Sequence, residues 1–264
     1  MTIRVLLNGA AGKMGRSMAG FILADPEMEL AAAVDVEQIG CDAGCLATGA
    51  ACGVVIENDL ASAIGRTAPD VMLDFTEPDA VRQGVVTALS LGVACVVGTT
   101  GLSDADLQEI DALARAKSVG AIVSPNFALS AVLMARFTAE AVKYFPDYEL
   151  VETHHDKKKD APSGTALAMI RMMNAVRAPH PQGRADSYEV IPGCRGGDCE
   201  GARVHSLRLP GTVARHEITF GGPGQLLTIR QECTDRAAFW PGVRLALLRV
   251  GGVTGLVHGL EQLL

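Results

Sequence analysis

Residues 3–24 have the sequence IRVLLNGAAGKMGRSMAGFILA, and this stretch decides the fold. The largely apolar run from Ile3 to Asn8 predicts a buried strand, and the pattern from Arg16 to Ala24 predicts an amphipathic helix. The glycines of the loop between them, residues 9–15, let the backbone turn sharply and approach a ligand closely. A strand, a glycine loop and a helix in this order indicate a dinucleotide-binding unit, in which the helix N-terminus and Lys13 stabilise a pyrophosphate.

A carboxylate follows the second predicted strand, where a dinucleotide-binding domain contacts ribose. Leu30 to Val34 form that strand, and Asp35 stands about 20 residues beyond the glycine loop, where an acid accepts hydrogen bonds from the ribose hydroxyls. The loop spacing is Gly-x-x-Gly-x-x-Gly rather than the commoner Gly-x-Gly-x-x-Gly, and turns of this kind also serve close packing alone. The loop and Asp35 together favour dinucleotide binding.

The alternation of strand and helix continues to residue 127 and predicts a parallel sheet. Strands are predicted at 71–76, 94–97 and 120–123, and helices at 78–91 and 103–117. In a parallel sheet these strands end at one edge, so the residues that follow them converge on one ligand. Gly98-Thr99-Thr100-Gly101 alone is an ordinary turn, and its place after a strand favours a contact on the nicotinamide side. The predicted cofactor contacts are Gly9, Ala10, Ala11, Gly12, Lys13, Met14, Asp35, Phe75, Gly98, Thr99, Thr100, Ser124, Pro125, Asn126 and Phe127.

The stretch from Glu149 to Thr165, ELVETHHDKKKDAPSGT, combines the groups needed to bind and protonate a small anion. Residues 148–153 alternate like a strand, so His154 and His155 fall at a strand end, with an unperturbed pKa of about 6.5. Three lysines follow. The helix-forming run after Thr165 then predicts that residues 163–165 lie at a helix N-terminus, which attracts carboxylate or phosphate.

A short charged run is more often a solvated loop, and the three lysines by themselves would favour that interpretation. Here the run stands between two histidines at a strand end and an anion-binding helix start. This order of strand, cationic loop and helix start favours a functional site.

The pattern changes after a predicted helix at 130–144, which indicates a second domain. Segments 204–209, 214–220 and 226–231 alternate apolar and polar residues between glycine- and proline-containing turns. They predict antiparallel strands of a half-exposed sheet, and such a sheet also offers an oligomer face.

The predicted fold class is therefore α/β, with a Rossmann-type doubly wound parallel sheet and a smaller α+β domain with an open mixed or antiparallel sheet. The first domain is expected to take residues 1–127 and 233–264, since a helix at 237–249 returns to it, and the second takes 128–232. Residues 41–53 are expected to form a loop.

The composition is that of a globular chain that is not a general nucleic-acid binder. The 264 residues carry a formal net charge of -7, and the only basic cluster is Lys157 to Lys159. No apolar run reaches the roughly 18 to 20 residues of a membrane span, and the N-terminus leaves no room for a secretion signal, which predicts a cytoplasmic protein. Cys41, Cys45 and Cys52 lack histidines at zinc-site spacing, so no metal site is predicted.

Several motifs carry a resemblance to a known family. They are the glycine loop at 9–15, Asp74-Phe75-Thr76, Gly98-Thr99-Thr100-Gly101 and, most specific, His154-His155-x-x-Lys158-x-Asp160-Ala161-Pro162-Ser163-Gly164-Thr165. Over its whole length, including His216-Glu217-x-x-x-Phe220-Gly221, the chain resembles the 4-hydroxy-tetrahydrodipicolinate (dihydrodipicolinate) reductases of bacterial lysine biosynthesis. The segment around 192–201 departs from the pattern and has no assigned role.

The resemblance implies an enzyme that uses NADH, NADPH or both to reduce 4-hydroxy-tetrahydrodipicolinate to tetrahydrodipicolinate, on the route to diaminopimelate and lysine. It implies a homotetramer assembled through the sheet of the second domain, with a small dicarboxylate substrate held between the domains. The implied catalytic residues are His154, as the acid, and Lys158, as its partner donor. The implied substrate-binding residues are His155, Ser163, Gly164 and Thr165.

Two other interpretations are less favoured by the residues. The first is another two-domain NAD(P)H enzyme, such as an amino-acid or semialdehyde dehydrogenase. The semialdehyde dehydrogenase would need a nucleophilic cysteine facing the nicotinamide, and none stands near Asn126. A regulatory module that binds a dinucleotide without turnover would not need a histidine and lysine cluster at an anion-binding helix start.

Overall fold

The computed structural model describes residues 2–178 and 182–264, which fold into two compact units. The first unit ends at Phe127 and resumes with Phe239–Leu264, and the second is Ala128–Ala238. The return to the first unit comes six residues later than the sequence-based boundary at 233. The reason is that the last strand of the second unit runs to Cys233 and a 3-10 turn, Arg236–Phe239, follows it.

The helices and strands are as follows. The strands are β1 (Ile3–Asn8), β2 (Met28–Val34), β3 (Ile56–Glu57), β4 (Val71–Asp74), β5 (Ala94–Val97), β6 (Gly120–Val123), β7 (Asp147–His154), β8 (Gly197–Cys199), β9 (Ala202–Arg208), β10 (Ala214–Gly222), β11 (Gln225–Cys233) and β12 (Gly255–His258). The helices are α1 (Lys13–Ala24), α2 (Ala43–Thr48), α3 (Leu60–Thr67), α4 (Pro78–Ser90), α5 (Asp104–Lys117), α6 (Leu129–Ala141), α7 (Gly164–Asn174) and α8 (Trp240–Val250). Among the described residues no helix is both long and apolar enough to span a bilayer.

The first unit is a seven-stranded parallel sheet with the order β12-β6-β5-β4-β1-β2-β3. Its central strands are buried on both faces and rich in aliphatic residues, as a sheet covered on both sides requires. The strand order reverses between β1 and β4, and the carboxyl ends of strands at such a point form a ligand-binding crevice. The predicted Rossmann-type architecture is confirmed.

Two elements of the first unit differ from the sequence-based prediction. Residues 43–48, expected in a loop, form the short helix α2, because the Asp42 carboxylate caps its N-terminus and also accepts the backbone N–H groups of Cys52 and Gly53. Strand β12, which no sequence pattern predicted, extends the sheet beyond β6. Neither element lies at the glycine loop.

The second unit is a five-stranded mixed sheet with the order β11-β10-β7-β9-β8, and α6 and α7 pack together in the same unit. As expected, β10 pairs antiparallel with both of its neighbours, β7 and β11. Strand β9 pairs antiparallel with β8 but parallel with β7, so the sheet is the mixed one of the two predicted alternatives. The chain between β7 and β9 includes α7, and a helical crossover of this length allows parallel pairing. This pairing places residues of β9 beside the end of β7.

Candidate active site

The candidate site of the second unit is built where β7 ends and α7 begins. Residues of β7 alternate between the two faces of the sheet, so Glu152 and His154 lie on the same face. Helix α7 begins at Gly164, and Ser163 is its N-cap, with the side-chain oxygen accepting the N–H of Ala166 at 3.2 Å. The predicted strand, loop and helix start are thus present in one unit.

His154 is held by a carboxylate that the sequence-based site did not include. Its Nδ1 donates to Oε2 of Glu152, whose side chain is fully buried, while the His154 side chain is 12% exposed. Arg208, at the end of β9, donates Nη2 to Oε1 of Glu152 at 2.8 Å and Nη1 to Oε2 at 3.0 Å. Because Nδ1 is occupied by the carboxylate, Nε2 is the His154 nitrogen that remains for proton transfer.

The environment shifts the pKa of both partners downward. Burial lowers the pKa of His154 below its ordinary value, with Lys158 and Arg208 adding to the effect and Glu152 opposing it. Burial raises the pKa of Glu152, but hydrogen bonds from Arg208, Ser206 and His154 outweigh it and leave that pKa below its usual value. The arrangement is an ionised, fully paired carboxylate behind a histidine that releases a proton readily.

The cationic loop is organised by Asp160. Lys158 donates Nζ to both carboxylate oxygens of Asp160, at 2.8 and 2.9 Å, and this ion pair lowers the pKa of Asp160. Arg208 reaches the same residue, donating Nη2 to the backbone carbonyl of Asp160 at 2.6 Å. One arginine therefore connects the loop to the Glu152–His154 pair, while the ammonium of Lys158 is held by Asp160.

The predicted substrate-binding residues differ in how they are presented. Gly164 and His155 are exposed and Thr165 is half-buried, so they lie where a small anion can reach them. Ser163 is only 2% exposed, and besides capping α7 its hydroxyl oxygen lies 3.1 Å from Nε2 of His216. The structure places Ser163 underneath the helix start rather than at its surface.

His216 and Gln231 complete a polar row across this sheet. His216 on β10 is paired in register with Gln231 on β11 and, on its other side, with Glu152 on β7. Glu152 is in turn paired with Ser206 on β9. The Gln231 Nε2 donates to Nδ1 of His216 at 2.8 Å, and the rings of His216 and His154 meet at 5.5 Å between centroids, nearly perpendicular. Burial lowers the pKa of His216 to about 4, with the charges on His154 and Lys158 contributing.

Sequence reasoning missed four members of this arrangement. Glu152 carried a detectable signal, because it stands two residues before His154 in a strand and therefore on the same face. His216 stands in a motif of the family resemblance but was given no role there, and Arg208 and Gln231 carried no signal. Their places follow from strand pairing alone.

Two glycines of the loop in the first unit are required by close packing of the backbone. Gly9 has a φ of +85°, and a Cβ there would lie 2.5 Å from the carbonyl oxygen of Phe75, while a Cβ on Gly15 would lie 2.0 Å from the carbonyl oxygen of Gly9. Gly12, the N-cap of α1, makes no side-chain cap, so the first N–H groups of the helix have no capping side chain. Such a helix start fits a pyrophosphate.

Asp35 lies beside this loop, as predicted. Its Oδ2 accepts the N–H of Ala11 at 2.8 Å and its Oδ1 accepts the N–H of Glu37 at 3.0 Å. Each carboxylate oxygen has a further lone pair that can accept from a ribose hydroxyl. Lys13 is exposed at the helix start, and Arg16, which the prediction did not include, donates Nε to the Ala11 carbonyl at 2.7 Å and stiffens the loop.

A buried carboxylate organises the neighbouring strand ends. Asp74 is fully buried, and its Oδ1 accepts the hydroxyl of Thr99 at 2.7 Å and that of Thr76 at 2.8 Å, while Asn8 donates to Oδ2 at 2.8 Å. Burial raises the pKa of Asp74, and these hydrogen bonds oppose that rise. The side chain of Thr99, a predicted cofactor contact, thus faces Asp74, whereas Thr100 is exposed.

The remaining predicted contacts lie at the same strand ends. Gly98 is required by Phe75, since a Cβ there would lie 2.2 Å from the ring. The Phe75 ring meets that of Phe127 edge-on at 6.4 Å, and the buried Ser124 donates its hydroxyl to the carbonyl of Asn126 at 2.8 Å, while the intervening Pro125 is exposed. These contacts shape the turn after β6. Among the described residues no cluster of three or more histidine, cysteine or carboxylate side chains is placed to hold a metal ion.

Comparison with known proteins gives one consistent family. Two family models, described as "Dihydrodipicolinate reductase, N-terminus" and "Dihydrodipicolinate reductase, C-terminus", match residues 3–127 and 130–264. A 4-hydroxy-tetrahydrodipicolinate reductase of Syntrophomonas wolfei is 46% identical over 99% of this chain and 98% of its own length. One from Desulfitobacterium hafniense is 47% identical over 99% and 98%. The solved structure of a dipicolinate-bound dihydrodipicolinate reductase from Paenisporosarcina sp. TG-14 matches with a TM-score of 0.90 and 41% identity over the whole of both chains.

Proposed function

The chain belongs to the dihydrodipicolinate reductase family, and on this premise we propose that it reduces 4-hydroxy-tetrahydrodipicolinate to tetrahydrodipicolinate with NAD(P)H. The reaction is a step of diaminopimelate and lysine biosynthesis. The observation that carries the proposal is the grouping of a carboxylate-held histidine, a lysine and a helix that starts at the exposed Gly164, all within one unit. These are the groups needed to bind a dianion and give it a proton.

The substrate carries two carboxylates, and the second unit offers complementary groups. Gly164 and Thr165 lie in the first turn of α7, where backbone N–H groups and the helix dipole stabilise an anion. Lys158 supplies a full charge from the facing loop, and its bond to Asp160 holds the ammonium in place until a ligand arrives. A related enzyme binds dipicolinate, a planar dicarboxylate of the same class.

Loss of the 4-hydroxyl group as water gives a cyclic α,β-unsaturated imine, to which the hydride adds. The protein must also supply a proton to the carbon beside the one that is reduced. The bound reduced dinucleotide supplies the hydride. His154 in its imidazolium form holds one proton on Nδ1 against Glu152 and presents the other on Nε2, so Nε2 delivers it. Glu152 remains ionised throughout, because Arg208 pairs both of its oxygens, and it stabilises the charged form of the ring.

For the cofactor we propose a preference for NADH with measurable use of NADPH. Asp35 lies against the glycine loop, where its carboxylate attracts a ribose hydroxyl and repels a 2′-phosphate. The two residues after it, Val36 and Glu37, bring no positive charge. Lys13 at the helix start is a cation that can partly offset the repulsion, and Arg16, bonded to the Ala11 carbonyl, is a second one.

We also propose a homotetramer that assembles through the open face of the second unit's sheet and works in the cytoplasm. Leu207 and Leu226 lie on that face and are 39% and 76% exposed, which supports an apolar contact there. Light scattering on the purified protein tests the mass, and Leu226→Glu should lower it. A monomeric parent protein would contradict the tetramer without touching the catalytic proposal.

The decisive experiment is steady-state turnover with the condensation product of pyruvate and aspartate semialdehyde. NADH oxidation at 340 nm should depend on this substrate, and tetrahydrodipicolinate should accumulate in step with it. Absence of substrate-dependent oxidation with both NADH and NADPH would refute the proposed function.

A further inference from the structure

Behind the candidate acid lies a histidine that no part of the proposed chemistry uses. His216 is 2% exposed and forms two hydrogen bonds through its ring, one to Gln231 and one to Ser163. A buried polar ring with both nitrogens paired is held in one orientation. The ring lies between the start of α7 and the ring of His154 and contacts both of them.

The partners of His216 determine where its proton lies. The Oε1 of Gln231 accepts hydrogen bonds from the hydroxyl of Ser130, at 3.2 Å, and from the thiol of Cys233. This fixes the orientation of the amide, so its NH₂ group points at Nδ1 of His216. An amide NH₂ only donates, and Nδ1 must therefore accept. The proton of the neutral ring is then on Nε2, which donates to the Ser163 hydroxyl oxygen.

Ser163 passes this constraint to the helix start. Its oxygen accepts from Ala166 as the N-cap and from Nε2 of His216, so the cap is bonded on both sides. The first turn of α7, with Gly164 and Thr165, is fixed by that cap. A displaced cap would move the N–H groups that are proposed to receive a substrate carboxylate.

The same ring also touches the proposed acid. The His216 and His154 ring planes are at 80°, with centroids 5.5 Å apart, an edge-to-face arrangement that restricts rotation of His154. Facing the pair are the carboxylate of Glu152 and the ammonium of Lys158. A neutral His216 adds no positive charge to repel an imidazolium at His154.

We propose that His216, backed by Gln231, is a positioning residue for both halves of the site: through Ser163 it fixes the carboxylate-binding turn of α7, and through ring contact it fixes the orientation of His154. The inference rests on the roles proposed above for His154 and α7. It predicts that the two contacts of one side chain control different kinetic constants.

Two substitutions separate the contacts. His216→Phe keeps a ring against His154 but loses the bond to Ser163, so KM for the dicarboxylate should rise about tenfold while kcat stays within about threefold. His216→Gln keeps an N–H donor for Ser163 but loses the ring, so kcat should fall about tenfold while KM stays within about threefold. Ser163→Ala should raise KM for the dicarboxylate by the same factor as His216→Phe. The variant that combines Ser163→Ala with His216→Phe should have a KM no higher than that of either single variant. His258→Gln, an exposed histidine of the first unit, is the control and should match the parent.

A measurement on the parent protein needs no variant and no turnover. Nitrogen NMR of the ¹⁵N-histidine-labelled chain should show His216 as the neutral Nε2–H tautomer from pH 5.5 to 8, and Gln231→Met should abolish this fixed tautomer. An Nδ1–H tautomer or an imidazolium of His216 at pH 7 would overturn the inference. So would the same change in both His216 variants, with kcat lowered and KM raised to a similar extent in each. A parent enzyme without turnover would instead refute the proposed function and leave the tautomer result to decide the hydrogen-bond arrangement.

Discussion

Replacing Glu152 with glutamine tests how the proton donor is tuned. The substitution keeps the shape of the side chain but removes the charge that pairs with His154 and Arg208. A hydrogen bond to a charged group contributes about 1.5 to 3 kcal/mol. Losing this interaction should lower the pKa of His154, already lowered by burial, still further.

The sign of the effect follows from which form reacts. If the imidazolium of His154 is the donor, kcat/KM is highest below the pKa of His154 and falls about tenfold per pH unit above it. A lower pKa moves this fall to lower pH, so Glu152→Gln should be about 10- to 100-fold slower than the parent at pH 7.5. The difference should narrow as the pH decreases.

The assay is the pH dependence of kcat/KM for both proteins between pH 5 and 9. The melting temperature is measured as a check, because Arg208 loses its ion pair with Glu152. Glu149→Gln is the matched control: Glu149 also lies on β7 and pairs with a histidine and an arginine, His205 and Arg195, but on the opposite face of the sheet. A parent profile that is flat to pH 9 would assign the proton to Lys158, and an equal deficit of Glu152→Gln at every pH would refute the tuning argument.

Four further predictions follow from the site. His154→Ala and Lys158→Ala should each lower kcat by roughly 10² to 10⁴ with little change in dinucleotide affinity measured by fluorescence, and parental rates in both would exclude this loop from catalysis. Thr165→Val should raise KM for the dicarboxylate more than it lowers kcat, because a carboxylate at the helix start is bound in the ground and transition states alike; an unchanged KM counts against it. The ratio of kcat/KM for NADH to that for NADPH, measured at one ionic strength, should be roughly five- to thirtyfold, and a strong NADPH preference would mean that Asp35 does not meet the ribose. Asp74→Asn should place an amide donor against the amide of Asn8, reduce the free energy of unfolding in urea by about 1 to 3 kcal/mol, and raise KM for NADH because Thr99 loses its carboxylate partner. An unaltered urea midpoint would show that the hydrogen bonds of Asp74 are not needed for stability.

Some features were accessible from the sequence because they depend on neighbours along the chain. The strand, glycine loop and helix at residues 3–24 lie within one continuous segment, and so do the histidine pair, the lysines and the cap at Ser163. Local periodicity and capping chemistry act over a few residues and leave a direct mark in the sequence. The Rossmann-type fold and the location of the cationic loop were therefore predicted correctly.

Some local predictions still failed for physical reasons. Helix α2 arises because Asp42 caps it from one side while also accepting two backbone N–H groups from residues ten and eleven positions later, which makes a short glycine-containing helix stable. Strand β9 was expected to pair antiparallel, and it does so with β8 but not with β7. The helical crossover before it permits the parallel arrangement instead.

By itself the sequence determined which chemistry is present: a dinucleotide loop with an acid beside it, and a histidine with lysines before a helix start. Only the tertiary structure decided which side chains control that chemistry. Arg208 lies 56 residues from Glu152 along the chain, and His216 and Gln231 come into line with Glu152 through the register of three paired strands. Strand register is fixed by long-range pairing and burial, which no local pattern encodes, so the partners that hold the proposed acid become visible only when the sheet is formed.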